Sequence, residues 1–245
     1  MDRMIYLSMS GAKATMQRQD VLATNLANVS TTGFRAELQS QRAVPLRGDG
    51  ASTRVYSLET TTGYNPDAGP ITATGRNLDV AMKDNAWLAV QGQDGTEAYT
   101  RFGALDVDNQ GTLVTKTGHP VLGDGGPITV PANSELQIGQ DGTVSARNAQ
   151  GKVTPVGKLK LVTPTAEAKL DRSEDGLFRV AGGGDLPADA RARLQDGALE
   201  GSNVSAIETM VQMISAARQF ESQMRMLQTA EKGDQNAQQL LNVNG

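Results

Sequence analysis

The sequence predicts an α+β fold: paired N- and C-terminal coiled-coil-type helices, with a central β-rich domain of short strands between them. Three observations carry this. Apolar residues recur at alternating four- and three-residue steps near both termini, as a helix-packing seam requires. Glycine-containing turn signals punctuate everything between them. Aromatic content is only 4%, with 27 glycines in 245 residues, which favours many short strands and turns over one compact helical core.

The first helix is expected over residues 3–29, about 40 Å at the helical rise. Ile5, Met9, Ala12, Met16, Ala23 and Leu26 form its stripe, with Gln19 as the polar member. Ser30-Thr31-Thr32-Gly33 is a turn-rich stop. Residues 36–75 are weakly patterned and carry Pro45, Gly48, Gly50, Gly63, Pro66 and Gly69, with a possible strand at 54–59. They read as an extended connector or small subdomain.

From about residue 76 to 200 the texture becomes β. Candidate strands are 86–91, 98–102, 104–107, 112–115, 120–122, 128–130, 136–138, 143–146, 158–162 and 177–180, separated by Asp-Gly, Gln-Gly and Gly-Gly turns. Lys158-Leu159-Lys160-Leu161 alternates as a strand with one wet face should. The predicted organisation is therefore 1–35 with 200–245 as a terminal helical domain, 36–75 as connector, and 76–199 as the β-rich domain.

The last helix starts near Ser205, where Ser205 and Glu208 make a capping box. It can run to about residue 240, roughly 50 Å. Ala206, Met210, Met213, Ala217, Phe220, Met224 and Leu227 form its seam, and Glu221 with Arg225 supports the wet face. Ile207, Val211 and Ile214 add a second stripe beside the seam. Two adjoining apolar faces suit a packed multichain core, and a single broad intramolecular helix pair accounts for the same periodicity. Both readings stand on periodicity alone.

Composition and motif spacing exclude most activities. The net charge of −4 is mild and mixed, with no Lys/Arg cluster dense enough to track phosphates, so no nucleic acid is expected. Cysteine is absent, which removes disulfides, thiolate catalysis and cysteine metal sites. Charges interrupt every apolar run before a membrane span is reached, and the N-terminal stretch makes a poor secretory signal. The one histidine, His119, lies in a turn-like Thr117-Gly118-His119-Pro120 context without an orienting partner in sequence. Asp106-x-Asp108-x-Gln110-Gly111 opens like a calcium loop but has Thr117 where a bidentate Glu belongs, so a β-turn is expected. Gly182-Gly183-Gly184 has no Walker lysine and reads as a loop. No catalytic, cofactor-binding or metal residues are assigned, and no cofactor is expected. A wall-remodelling hydrolase and a non-polymerising assembly adaptor are the competing classes. Sedimentation across a concentration range separates them from a polymerising subunit.

Several segments match a known family in order. Leu22-Ala23-Thr24-Asn25-Leu26-Ala27-Asn28-Val29-Ser30-Thr31-Thr32-Gly33-Phe34-Arg35 resembles the N-terminal signature of bacterial flagellar rod and hook proteins, with Thr24 where Asn is usual. Gly197-Ala198-Leu199-Glu200-Gly201-Ser202-Asn203-Val204, followed by Glu208-Thr209-Met210-Val211, resembles the start of that family's terminal helix. Thr74-Gly75-Arg76-Asn77-Leu78-Asp79-Val80-Ala81, Tyr99-Thr100-Arg101-Phe102-Gly103 and Gly118-His119-Pro120-Val121-Leu122-Gly123 are similar to its central segments. The opening residues 1–12 are most similar to the proximal-rod branch, with the distal-rod branch as the alternative.

The resemblance implies a non-enzymatic structural subunit whose joined terminal helices form the inner layer of a tube. It implies other copies of the chain, neighbouring rod proteins and the flagellar type III export apparatus as partners. It also implies a periplasmic basal-body location reached without a cleaved signal peptide. The expected assembly interface is Ile5, Met9, Ala12, Met16, Leu26 and Asn28 on one helix, with Met210, Met213, Ala217, Phe220, Met224 and Leu227 on the other. Asn25, Asn28, Asn203 and the turn 31–33 are expected to fix helix ends and local register.

Overall fold

The computed structural model describes residues 2–45, 55–132, 134–148 and 150–242. Two terminal helices packed together and a central region of many short antiparallel strands make up the chain, as the sequence predicts. It divides into two compact units: Met1–Ala27 with Glu37–Thr62 and Ser205–Gly245, and Asn28–Ala36 with Gly63–Val204.

The helical unit contains α1 (Asp2–Ala27), the hairpin strands β1 (Glu37–Pro45) and β2 (Val55–Tyr64) up to Thr62, and α2 (Ala206–Asn242), while Gly63 and Tyr64 at the end of β2 belong to the β unit. The hairpin occupies the stretch read as weakly patterned. The strand expected at 54–59 starts at Val55 and runs on to Tyr64, while Gly48, Gly50 and Arg54 lie outside the described residues. Asn25 ties α1 to β1 by pairing with Glu37 as a backbone would: the Glu37 amide donates to Asn25 Oδ1 at 2.9 Å, and Asn25 Nδ2 donates to the Glu37 carbonyl at 3.0 Å. α2 begins with half of the expected capping box. The Glu208 amide donates to Ser205 Oγ at 3.4 Å, but the Glu208 carboxylate takes Gln212 Nε2 instead of reaching back.

The β unit is organised around a five-stranded antiparallel sheet. Its order is Leu161–Val162, Trp87–Gln91, Glu97–Thr100, Phe178–Val180 and Leu170–Arg172. Side-chain alternation sorts this sheet into two cores. Leu88, Val90 and Ala98 join Val80, Leu105, Leu113, Val144 and Leu194 on one face, and Trp87, Ala89 and Tyr99 join Val162, Leu170 and Phe178 on the other. Tyr64 closes the second core by edge contacts on Trp87 and Phe178, with ring centroids 5.4 and 5.0 Å away. Burial of each such side chain contributes about 1.5–3 kcal/mol, so this unit holds a large apolar interior of its own.

Some expected strands differ. The alternating 158–162 segment splits, because Val153–Lys158 pairs with Thr143–Arg147 while Leu161–Val162 pairs with Trp87 and Leu88. Leu159 and Leu161 are both buried, so the alternation named the correct face even where the strand breaks. Residues 128–130 form isolated bridging contact at Thr129 rather than a strand, and Gly126–Pro127 pairs with Leu122–Gly123. Within Asp106-to-Gly111, strand Leu105–Val107 ends and residues 108–111 form the expected turn into Leu113–Thr115. Asp108 Oδ1 accepts the amides of Gln110 and Thr112, and Gly111 sits at φ 81.

Candidate functional site: a shared carboxylate and two helix faces

Two features of the structure bear on function, one in each unit. In the β unit, the carboxylate of Glu200 is buried with Arg35 and Arg101, each about 2% exposed. Glu200 Oε2 receives Arg101 Nε at 2.6 Å and lies 2.5 Å from Arg101 Nη2. Glu200 Oε1 receives the Gly69 amide at 2.9 Å and lies 2.8 Å from Arg35 Nη2. Arg101 also donates to the carbonyls of Met82, Asp84 and Ala86 at 2.7–2.9 Å. These bonds bring the segment that follows α1, the residue just after strand 97–100, the segment after β2 and the segment that precedes α2 onto one carboxylate.

The surrounding backbone explains the motif residues. The Gly33 amide donates to the Glu200 carbonyl at 2.7 Å, and a Cβ at Gly33 would stand 2.4 Å from the Arg101 carbonyl group. With φ at +68, only glycine fits there without strain. Phe34 is buried, and the Arg172 guanidinium lies 4.2 Å from its ring centroid. Asn203, expected to fix local register, accepts the Ala36 amide at 2.7 Å and donates to the carbonyls of Asn65 and Asp67. Asn28 and the 31–33 turn close locally, Thr31 Oγ1 donating to Asn28 Oδ1 at 3.1 Å and the Thr31 amide to the Asn28 carbonyl. Sequence reasoning missed Arg35, Arg101 and Glu200 as a unit. The available signal was a charged residue inside each of three otherwise apolar or glycine-rich motifs.

In the helical unit, α1 and α2 pack through small and polar residues. Ser8, Ala12, Thr15, Leu22 and Asn25 are the buried positions described on α1 besides Ala14, and Thr209, Ala216 and Ala230 those on α2. Gly11 faces Gln223, whose side-chain amide would meet an added Cβ at 3.0 Å. Ala206, Met213, Ala217, Phe220 and Leu227, like Ile5 and Leu26, are half-buried. Met9, Met16, Met210 and Met224 are exposed. The helix pair thus turns Met9, Met16, Met210 and Met224 outward while Met213 is half-buried, and most of the buried positions lie one residue before the predicted stripe. The second stripe on α2 is open to solvent, with Ile207 80% exposed, Val211 61% and Ile214 56%, and the adjoining seam residue Met210 is 49% exposed. Tyr6, Met9 and Met16 are each more than half exposed on α1.

Family models match three parts of the chain. A flagella basal body rod protein model covers residues 5–35, a flagellar hook protein FlgE/F/G D1 domain model covers 81–146, and a flagellar basal body rod FlgEFG protein C-terminal model covers 195–240. The chain is 45% identical over 252 residues to the flagellar basal-body rod protein FlgF of Salmonella typhimurium, covering 99% of this chain and 100% of that one. The FlgF of Escherichia coli is 44% identical over the same span and coverage. A flagellar basal-body rod protein FlgG of Bacillus subtilis is 32% identical over 264 residues, covering 98% of each chain.

The chain belongs to the FlgF family of flagellar basal-body rod proteins. It is a structural rod subunit by that membership, not an enzyme. The three segments that the family models match each supply one member of the Glu200 group, since Arg35, Arg101 and Glu200 each lie in a different one. Among the described residues, no helix is long and apolar enough to cross a membrane.

Proposed function

We propose that this FlgF-family chain builds the proximal rod by stacking its terminal helices against other copies and against neighbouring rod proteins. The single observation that carries the reading is the open apolar stripe of Ile207, Met210, Val211 and Ile214 on α2. These positions follow i, i+3, i+4, i+7 spacing and so share one helix face. An apolar face of that kind marks an interaction surface. Met9 and Met16 on α1, and Met224 further along α2, extend the outward-facing apolar set. The half-buried residues Ile5, Leu26, Met213, Ala217, Phe220 and Leu227 bridge the intramolecular seam and the outer faces. Ala12 belongs to the closed side and Asn28 to the helix-end turn.

A contact between two different faces that does not close into a ring produces a helical filament, which is the geometry a rod needs. The chain reaches the periplasm by type III export and orders its helices fully on docking. Electron microscopy of basal bodies from a strain lacking the gene tests the reading. Rings with a rod truncated at its proximal end are expected. A complete proximal rod stopping before the hook would move the chain to the distal position, and intact basal bodies would overturn the structural role.

A further inference from the structure

One chemically labile dipeptide recurs along the β unit. Among the described residues, Asp-Gly pairs stand at 94–95, 124–125, 141–142, 175–176 and 196–197. In such a pair the glycine amide can attack the preceding side-chain carboxyl, because no Cβ shields it and its backbone turns freely. All five read alike in sequence, and their surroundings set them apart.

At four of them the attacking amide is already committed. The Gly95 amide donates to the Gly92 carbonyl, Gly142 to Gly139, Gly176 to Ser173 and Gly197 to Asp79. Three of the carboxyls are held as well. Asp94 accepts the Thr96 amide and hydroxyl, Asp141 accepts the same pair from Thr143, and Asp175 takes the Leu177 amide and the Arg179 guanidinium. These bonds keep the three carboxyls below the usual range, so fewer of them carry the proton that must leave with the departing oxygen. Asp196 is fixed through its backbone, as the last residue of a strand paired to Val80.

Asp124-Gly125 differs on each count. It is the two-residue link of the hairpin between Leu122–Gly123 and Gly126–Pro127, and both of its residues are exposed. Neither the Asp124 carboxylate nor the Gly125 amide has a hydrogen-bond partner among the described residues. A Cβ added at Gly125 or Gly126 would meet nothing within 4 Å, so the link has room to swing the amide onto the carboxyl.

We propose that Asp124 is the site at which the folded chain converts to isoaspartate. The Gly125 nitrogen bonds to Asp124 Cγ, and the amide proton leaves with the carboxyl hydroxyl as water, closing a succinimide. Water then adds to the main-chain carbonyl carbon of Asp124 and breaks its bond to the Gly125 nitrogen. The chain now runs through Cγ, one methylene longer at the hairpin tip, and the former main-chain carbonyl is a free carboxylate. One water leaves and one enters, so no other reactant is consumed.

The full chain is incubated in heavy-oxygen water, one sample folded and one in denaturant, and every Asp-Gly peptide is mapped by mass spectrometry. Each passage through the succinimide leaves one heavy oxygen behind. Emission of the single tryptophan, Trp87, reports that the first sample stays folded. In denaturant the five sites should label at similar rates. In the folded chain Asp124 should lead the other four by about fivefold or more, the worth of the hydrogen bond that each of them must break first. Gly125→Ala, for which there is open space, should slow labelling at Asp124 alone. Another of these five sites keeping pace with Asp124 in the folded chain, or an Asp124 left unlabelled while the denatured chain reacts, overturns the proposal.

Discussion

The β unit and the helical unit solve the burial problem in opposite ways. In the β unit, Leu88, Val90, Tyr99, Leu105, Leu113 and Leu194 lose all of their exposure within the single chain. In the helical unit the buried helix positions are mostly small or polar, Ser8, Ala12, Thr15, Thr209 and Ala216 with Leu22 as the larger exception, while Ile207, Val211 and Ile214 face solvent. Small residues let two helices approach closely but bury little apolar area, so this pair gains little from its own packing. One unit closes its apolar side chains inside a single chain, and the other leaves Ile207, Val211 and Ile214 open.

Arg101→Met leaves Glu200 with one guanidinium fewer and strips the carbonyls of Met82, Asp84 and Ala86 of their donor. A loss of about 3–5 kcal/mol is expected in denaturant unfolding of the β unit. Gly33→Ala should cost about 3 kcal/mol by the same measurement, because the added Cβ meets the Arg101 backbone at a positive φ.

Next comes a matched pair of truncations. Leu194→Ala opens a cavity in the closed core and should cost about 2–5 kcal/mol. Ile207→Ala should change the stability of the soluble chain by less than about 0.5 kcal/mol. The double change Ile207→Ser with Ile214→Ser should likewise leave the monomer folded, yet abolish swimming and rod completion. A motile double variant would remove the assembly role from that face.

A milder effect is expected in acid. Hydrogen bonds from Thr96 hold the Asp94 carboxyl below its ordinary value, and Thr143 does the same for Asp141. Arg179 lowers Asp175, and the Arg191 amide lowers Asp189. All four lie in the β unit. Groups lowered on folding contribute stability that is present above the unfolded value of about 3.9 and lost as pH falls through the folded value. The Trp87 transition should therefore move to lower denaturant as pH drops below about 4. A midpoint that holds steady down to about pH 2 would contradict this.

How much of this was legible in the sequence depends on how local the cause is. Both helices, the Asp108 and Asp141 turns and most core strands follow from periodicity and turn chemistry that act within a few residues. The identity of the buried helix stripe was not legible, because α2 carries two adjoining apolar stripes and periodicity does not say which one meets α1. The Met210 and Met224 positions fit the seam spacing yet face outward, while Thr209 and Ala216 are buried. The Glu200 group was hidden for a different reason. Its members are separated by 99 residues between Arg101 and Glu200, and no short-range pattern links charges that meet only after the sheet forms. Short strands such as Ile71–Ala73 and Ala198–Glu200 were missed because three residues hold too little periodicity to stand out.

The central claim, that the open stripe on α2 is covered only in the assembled rod, has a direct test. The chain has no cysteine, so Ile207→Cys introduces a unique thiol on that face. Its rate of maleimide labelling is measured in the soluble chain and in basal bodies purified from a motile strain carrying the variant. Fast labelling in solution and strong protection in the basal body is the predicted result. Equal labelling in both would show that this face stays open in the rod and would contradict the account.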